Sequence, residues 1–150
     1  MSDIKPSNPK DAVAVNKLPL DMVPSTLPVF AALAFTEGDA KYGAYNWRVA
    51  GVAASVYRAA LERHMMSWWN GEDVDPKSGI PHLASVIACA GIILDAEVAG
   101  KLTDDRPPKS PVGDLIRKLE SKVAHVRDVF KDHKPPKYTQ AGLDSSSDGS

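Results

Sequence analysis

Two groups of residues near the middle of the chain carry side chains that could bind a phosphate group or assist its transfer. The first lies between Lys41 and Arg48 and combines these two cations with Asn46 and three aromatic rings. Such a set can hold phosphate through its cations and stack a nucleobase on its rings. An aromatic turn that plugs a hydrophobic core has the same composition. Residue types alone therefore leave binding and packing equally open for this group.

The second group is acidic and contains two histidines. Glu72, Asp73 and Asp75 place three carboxylates within four residues, and they repel one another unless they are solvated or neutralised by a cation. Hard cations such as Mg²⁺ and Mn²⁺ prefer carboxylate oxygens. His64 lies on an otherwise apolar helical stripe, and His82 follows the acidic segment. The alternatives are a metal site or, more blandly, a solvated acidic turn beside a core histidine.

The elements that must position these groups are predicted to be helices. Apolar residues recur at helical spacing, and no convincing alternating strand pattern is present. We expect an all-α, four-helix bundle-like domain over residues 25–131. An irregular, proline-rich N-terminal arm (1–24) precedes it, and a C-terminal tail (132–150), disordered from residue 144, follows it. The predicted helices are Ser25–Tyr42, Val49–Asn70, Pro81–Ala99 and Ser110–Lys131.

Composition excludes several classes of protein. The chain has 150 residues, with 18 basic and 19 acidic side chains, so it lacks the basic excess of a protein that binds nucleic acid polymers. Its single cysteine, Cys89, cannot form an internal disulfide and is expected in the core. The longest apolar run, Val86–Leu94, is too short to cross a bilayer, and the N-terminus resembles no export signal. These features predict a cytoplasmic protein without membrane contact.

The order of the polar residues resembles a known family, the dATP/dGTP diphosphohydrolase-like proteins of phages and prophages. The resemblance covers about residues 8–105. It rests on segments that begin at Asn8 and Lys17, on the two groups above, and on residues around Gly71, Ser78 and His82, which are listed here: Asn8-Pro9-Lys10-Asp11, Lys17-Leu18-Pro19-Leu20, Lys41-Tyr42-Gly43, Asn46-Trp47-Arg48, Arg63-His64-Met65 with Trp68, Gly71 to Pro76, Ser78-Gly79 and His82-Leu83-Ala84. The resemblance implies hydrolysis of a purine deoxynucleoside triphosphate to monophosphate and pyrophosphate with a divalent metal, and kinship to all-α, MazG-like pyrophosphohydrolases.

The leading hypothesis is a metal-dependent enzyme that acts on dATP or dGTP, and it assigns roles to residues of the two polar groups. His64, Glu72, Asp75 and His82 are the predicted ligands of Mg²⁺ or Mn²⁺. Glu72 and Asp75 act with a carboxylate base, Asp73 or Glu37. The predicted substrate-binding residues are Lys41, Tyr42, Asn46, Trp47, Arg48 and Arg63.

One position departs from the family pattern and keeps a second hypothesis open. The family often has a second histidine three residues after His82, where this chain has Ser85. A hydroxyl replaces an imidazole ligand poorly, so the alternative is a module that binds or sequesters a nucleotide without cleaving it. A third possibility is a helical interaction protein whose polar centre only fixes packing. The abundance of apolar stripe also predicts a homodimer or higher homo-oligomer.

Overall fold

The computed structural model describes residues 8–147 and confirms an all-α fold. The chain divides into two compact units, residues 1–106 and 107–150. Most of the secondary structure is helical, and the elements are, in chain order: α1 Pro9–Ala14, a 3₁₀ turn Leu20–Met22, α2 Thr26–Tyr42, α3 Asn46–Ala50, β1 Val52–Ala53, α4 Ala54–Trp69, α5 His82–Val98, β2 Leu102–Thr103, α6 Val112–Val129 and α7 Gln140–Ser147.

Helix α5 is the central element of the first unit and packs against both α2 and α4. It can lie close to both because its buried positions are small. Ala84, Ala88 and Ala96 are almost fully buried, and Ala34 of α2 packs with the first two. Small side chains let helix axes approach closely. The predicted central role of this helix and its approximate ends are therefore confirmed.

The predicted helix Val49–Asn70 is wrong in its first part. A short helix, α3, ends at Ala50, and Gly51 takes a φ of +76° that breaks the helix. Val52 and Ala53 then form a strand parallel to Leu102 and Thr103, an element that the sequence pattern did not predict. A Cβ atom at Gly51 would lie 2.9 Å from the carbonyl oxygen of Lys101, so the pairing requires glycine at this position.

Both ends of the chain contain more helix than predicted. In the N-terminal arm, α1 begins after Asn8, whose side chain accepts a hydrogen bond from the backbone N–H of Lys10, and Pro9 occupies the tolerant first turn. In the tail, α7 extends to Ser147, so the prediction of disorder is wrong for residues 144–147. Serine hydroxyls there bond to carbonyls three or four residues earlier, which satisfies them within the helix. Residues 1–7 and 148–150 lie outside the described part.

The second unit contains the long amphipathic helix α6. Apolar residues recur along it and at its C-cap at alternating intervals of four and three: Val112, Ile116, Leu119, Val123, Val126 and Phe130. No residue of α6 is buried. The helix is two residues shorter at each end than the predicted Ser110–Lys131. None of the helices between residues 8 and 147 combines the length and apolar content that a membrane span needs.

Candidate active site

The loop between α4 and α5 brings the acidic residues back over the start of α5. Asp75 N–H donates to the carbonyl oxygen of Ile80 (2.9 Å), and His82 N–H donates to that of Asp73 (3.0 Å). The carboxylate of Asp75 accepts the backbone N–H groups of Lys77 and Ser78, which closes the turn and lowers the pKa of Asp75. The loop therefore runs antiparallel to itself and places Glu72 beside His82.

Three side chains form one hydrogen-bonded chain at this point. Glu72 Oε1 lies 2.7 Å from Nε2 of His82, and Nδ1 of His82 lies 2.9 Å from Nδ1 of His64. His82 is only 3% exposed, whereas Glu72 is half exposed. Both ring nitrogens of His82 are thus engaged, and its ring orientation is fixed.

If both imidazole rings are neutral, the order of donors and acceptors along this chain determines their tautomers. A carboxylate can only accept, so Nε2 of His82 carries the proton that it donates to Glu72. Nδ1 of neutral His82 must then accept, and Nδ1 of His64 donates to it. Nε2 of His64 is left as an unprotonated acceptor. Burial, followed by the proximity of His82, lowers the pKa of His64 and favours this neutral form.

His64 faces a cavity of about 550 Å³ between α2, α4 and α5. This volume lies in the usual range for small-molecule sites. The cavity has a charged end formed by Glu37, Lys41, Arg63 and His64, and Ser85 lines it as well. Its remaining lining is aromatic or apolar, and consists of Ala34, Phe35, Gly38, Tyr42, Trp47, Val56, Tyr57, Ala60, Ala88, Cys89 and Ile92, together with the amide of Asn46.

The two ends are separated along the helices. Lys41 forms an ion pair with Glu37, which raises the pKa of Lys41. Glu37 and Asp75 also act on His64 through their charges, so the charged groups share one region. At the other end, Trp47 belongs to a packed cluster with Phe35, Tyr57 and Ile92. The cavity therefore joins a region suited to anions with a region suited to a flat apolar ring.

The ring of Trp47 is held from the far side of the cavity. Its indole N–H donates to Asp95 Oδ2 (2.6 Å), and the guanidinium of Arg48 makes two bonds to the same carboxylate (2.8 and 2.7 Å). These bonds lower the pKa of Asp95 to about 2. Arg48 also lies over the ring of Tyr45, whose φ of +57° is the left-handed conformation that presents it. Arg48 thus lines a second cavity, of about 580 Å³, on the other side of Trp47 and Phe35.

The segment that contains this cavity matches a known protein family. A family model described as "dATP/dGTP diphosphohydrolase, N-terminal" matches residues 7–106, which is most of the chain and includes the whole cavity. The chain belongs to the dATP/dGTP diphosphohydrolase family. Searches of curated proteins and of solved structures gave no match.

The family resemblance seen in the sequence is confirmed, and a diphosphohydrolase is a hydrolase acting on phosphoric anhydrides. The structure of this family member brings most of the predicted residues to one place. Lys41, Tyr42, Asn46, Trp47 and Arg63 all line the first cavity, and His64 does so with them. Arg48 does not; it faces the second cavity and pairs with Asp95.

The other predicted ligands and catalytic groups lie in the loop between α4 and α5 and at the start of α5, and none of them lines either cavity. They are Glu72, Asp73, Asp75 and His82. Among residues 8–147, no three histidine, cysteine, aspartate or glutamate side chains converge as ligands for one metal ion. Metal binding by His64, Glu72, Asp75 and His82 stays a prediction.

Three residues that form or support the first cavity were not predicted as site residues from the sequence. Tyr57 and Phe35 line the aromatic end, and Asp95 holds Trp47 in place. Tyr57 shares the helical stripe of His64, two turns earlier, and this spacing could have indicated it. Asp95 could have been noticed as an acidic side chain in a strongly apolar helix. Cys89, expected in the core, is partly buried and lines the cavity, and burial raises the pKa of its thiol.

Proposed function

We propose that this protein hydrolyses dATP and dGTP to the monophosphate and pyrophosphate. The observation that carries the proposal is the first cavity, which joins two cations and an unprotonated imidazole at one end to aromatic rings at the other. A nucleoside triphosphate has the same division between a charged and a flat aromatic part. The family to which the chain belongs supports the substrate class.

At the charged end, Lys41 and Arg63 bind the triphosphate. Arg63 is exposed and has no side-chain hydrogen bond among residues 8–147, so its guanidinium is available for a bidentate contact with phosphate. Lys41 exchanges its exposed pairing with Glu37 for a phosphate oxygen. Exposed ion pairs of this type contribute little to stability, so the exchange costs little.

The attacking water binds to His64. Nε2 of His64 accepts a hydrogen bond from the water and takes its proton as the new bond to the α-phosphorus forms. The bond between the α-phosphorus and the bridging oxygen breaks, and pyrophosphate leaves. The hydrogen bond from His64 Nδ1 through His82 to Glu72 stabilises the positive charge that develops on His64.

The sequence predicts a carboxylate, Asp73 or Glu37, as the base. Of these two, Glu37 lines the cavity, whereas Asp73 contributes a backbone carbonyl to the loop. Glu37 is therefore the carboxylate that can act beside His64. Glu37 accepts a hydrogen bond from Lys41, so it lies next to a residue proposed to bind the triphosphate.

We propose that Mg²⁺ or Mn²⁺ enters as part of the substrate, bound to the triphosphate. No ready-made cage of three side-chain ligands exists within residues 8–147, and both nitrogens of His82 are engaged in hydrogen bonds. The carboxylates of Glu37 and Asp75 both act on His64 through their charges, so they are the hard oxygen donors on this side of the cavity. Deoxynucleotides are used in the cytoplasm, which is the compartment that this function implies.

The test is incubation of the purified protein with the four deoxynucleoside triphosphates and Mg²⁺ or Mn²⁺, with monophosphate and pyrophosphate quantified. Release of both products from dATP and dGTP is expected. His64→Asn is the matched loss-of-function variant, because the amide keeps polarity but cannot take the water proton. If no nucleotide is turned over with either metal, the proposal is refuted.

Ser85 favours the second candidate, a module that binds a nucleotide without cleaving it. It is 7% exposed, lines the charged end, and has no side-chain hydrogen bond among residues 8–147. A hydroxyl that lines the cavity without a partner suits contact with a bound ligand, and it supplies no imidazole for catalysis. Tight binding by calorimetry, together with intact nucleotide after long incubation, would identify this function.

A further inference from the structure

The side chain of Asn46 brings a carboxamide to the aromatic end of the cavity. It is half-buried and lines the cavity beside Trp47. Its backbone N–H is bonded to the carbonyl oxygen of Gly43, which fixes the main chain. Its carboxamide has no hydrogen bond within residues 8–147. A carboxamide in this position can rotate, because nothing in its surroundings selects one orientation.

The neighbouring polar groups cannot replace it. The indole N–H of Trp47 is committed to Asp95, so the ring presents only its face to the cavity. Tyr57 has a hydroxyl, and burial raises its pKa, so it stays protonated. A protonated hydroxyl can meet one atom of a base edge but cannot bond to two adjacent atoms. A paired contact with the base therefore requires Asn46.

We propose that the Asn46 carboxamide reads the base edge and that its rotation lets one cavity accept both adenine and guanine. This inference rests on the proposed function and names the residue that sets its base range. Aromatic stacking on Trp47 and Tyr57 supplies affinity without discriminating between the purines.

The chemistry of the two purines explains why a rotating amide suits both. Adenine presents a donor at N6 beside an acceptor at N1. Guanine presents an acceptor at O6 beside a donor at N1. The order is reversed, and a carboxamide turned by 180° reverses its own donor and acceptor. A carboxylate has acceptors only, so it fits the N1 and N2 donors of guanine and opposes adenine.

The experiment compares wild type with Asn46→Asp on dATP, dGTP and dITP, whose base is guanine without the N2 amino group. Wild type is expected to have similar kcat/KM values for dGTP and dITP, because the amide uses only O6 and N1. Asn46→Asp is expected to lose roughly 10- to 100-fold on dATP relative to dGTP, the scale of a lost paired contact. It should also prefer dGTP over dITP by about tenfold.

Asn70→Asp is the matched control, since it makes the same exchange of carboxamide for carboxylate at the end of α4, outside the cavity lining, and should leave the three ratios unchanged. Asn46→Leu is the second variant, with all three purines reduced and the ratios near one. Circular dichroism melting verifies that each variant folds.

The possible failures are distinct. If wild type cleaves dATP and dGTP but Asn46→Asp lowers all three substrates equally, the role of Asn46 is refuted and the hydrolase stands. If wild type turns over no nucleotide, the hydrolase proposal fails, and the same ratios measured as calorimetric affinities decide the role of Asn46. Equal affinities in wild type and variant would then overturn it.

Discussion

The substitution Glu72→Gln tests whether the carboxylate acts through the histidine chain. Glu72 Oε1 accepts a hydrogen bond from Nε2 of His82 at 2.7 Å. A glutamine carbonyl can accept the same bond, so the tautomers of His82 and His64 are expected to persist. What the substitution removes is the negative charge that stabilises a protonated His64.

The magnitude follows from the type and exposure of the bond. Hydrogen bonds to charged groups contribute about 1.5–3 kcal/mol and neutral ones about 0.5–1.5 kcal/mol. The Glu72 side chain is 51% exposed, so solvent screening places the difference near the low end, about 1 kcal/mol. Since about 1.4 kcal/mol corresponds to a factor of ten, we expect kcat for dATP to fall roughly five- to tenfold.

The assay is steady-state pyrophosphate release from dATP, with thermal melting of each variant. His82→Leu is the comparison, because it removes both hydrogen bonds of His82, and the position of the proton on His64 is then no longer fixed. Loss of a positioned base costs about 10²- to 10⁴-fold, which is the fall expected for His82→Leu. An equal fall for the two variants would refute the reasoning. A fall of Glu72→Gln beyond about 10³-fold, with altered metal dependence, would instead make Glu72 a metal ligand.

Three further predictions concern stability and assembly. Gly51→Ala is expected to destabilise the first unit by about 2–4 kcal/mol in chemical denaturation, because the left-handed φ and the contact with Lys101 both oppose a side chain. Gly91→Ala, in open space within α5, should stabilise it by about 0.5–1 kcal/mol; the same sign for both would contradict the strain. The pKa of Asp95 is lowered from 3.8 to about 2, so the stability contributed by its bonds is complete above pH 4 and disappears toward pH 2. Asp95→Asn should reduce the loss of stability between pH 4 and pH 2. An unchanged dependence of stability on pH would contradict a contribution from these bonds. Finally, the apolar seam of α6 predicts a homo-oligomer, and light scattering at 16.1 kDa at every concentration would exclude it.

The sequence by itself determined the elements that depend on neighbouring residues. Apolar spacing predicted α2 and α5 almost to their ends, because helix formation depends on contacts three and four residues apart. The types and order of the polar residues also indicated the family, which the match over residues 7–106 confirms. Lys41, Asn46, Trp47 and Arg63 were predicted as binding residues from composition, and they do share one cavity.

Only the tertiary structure decided features that join distant parts of the chain. The sequence pattern predicts helix at residues 51–53. In the folded chain, Gly51 approaches the carbonyl of Lys101, fifty residues later, and Val52 and Ala53 pair as a strand. The sequence predicts Arg48 as a binding residue together with its neighbour Trp47. In the structure its guanidinium bonds to Asp95 and lines the other cavity. The Glu72–His82–His64 chain likewise depends on a loop that folds back on itself. A linear pattern contains residue types and local spacing, whereas donors and acceptors are matched only when the folded chain brings them within bonding distance.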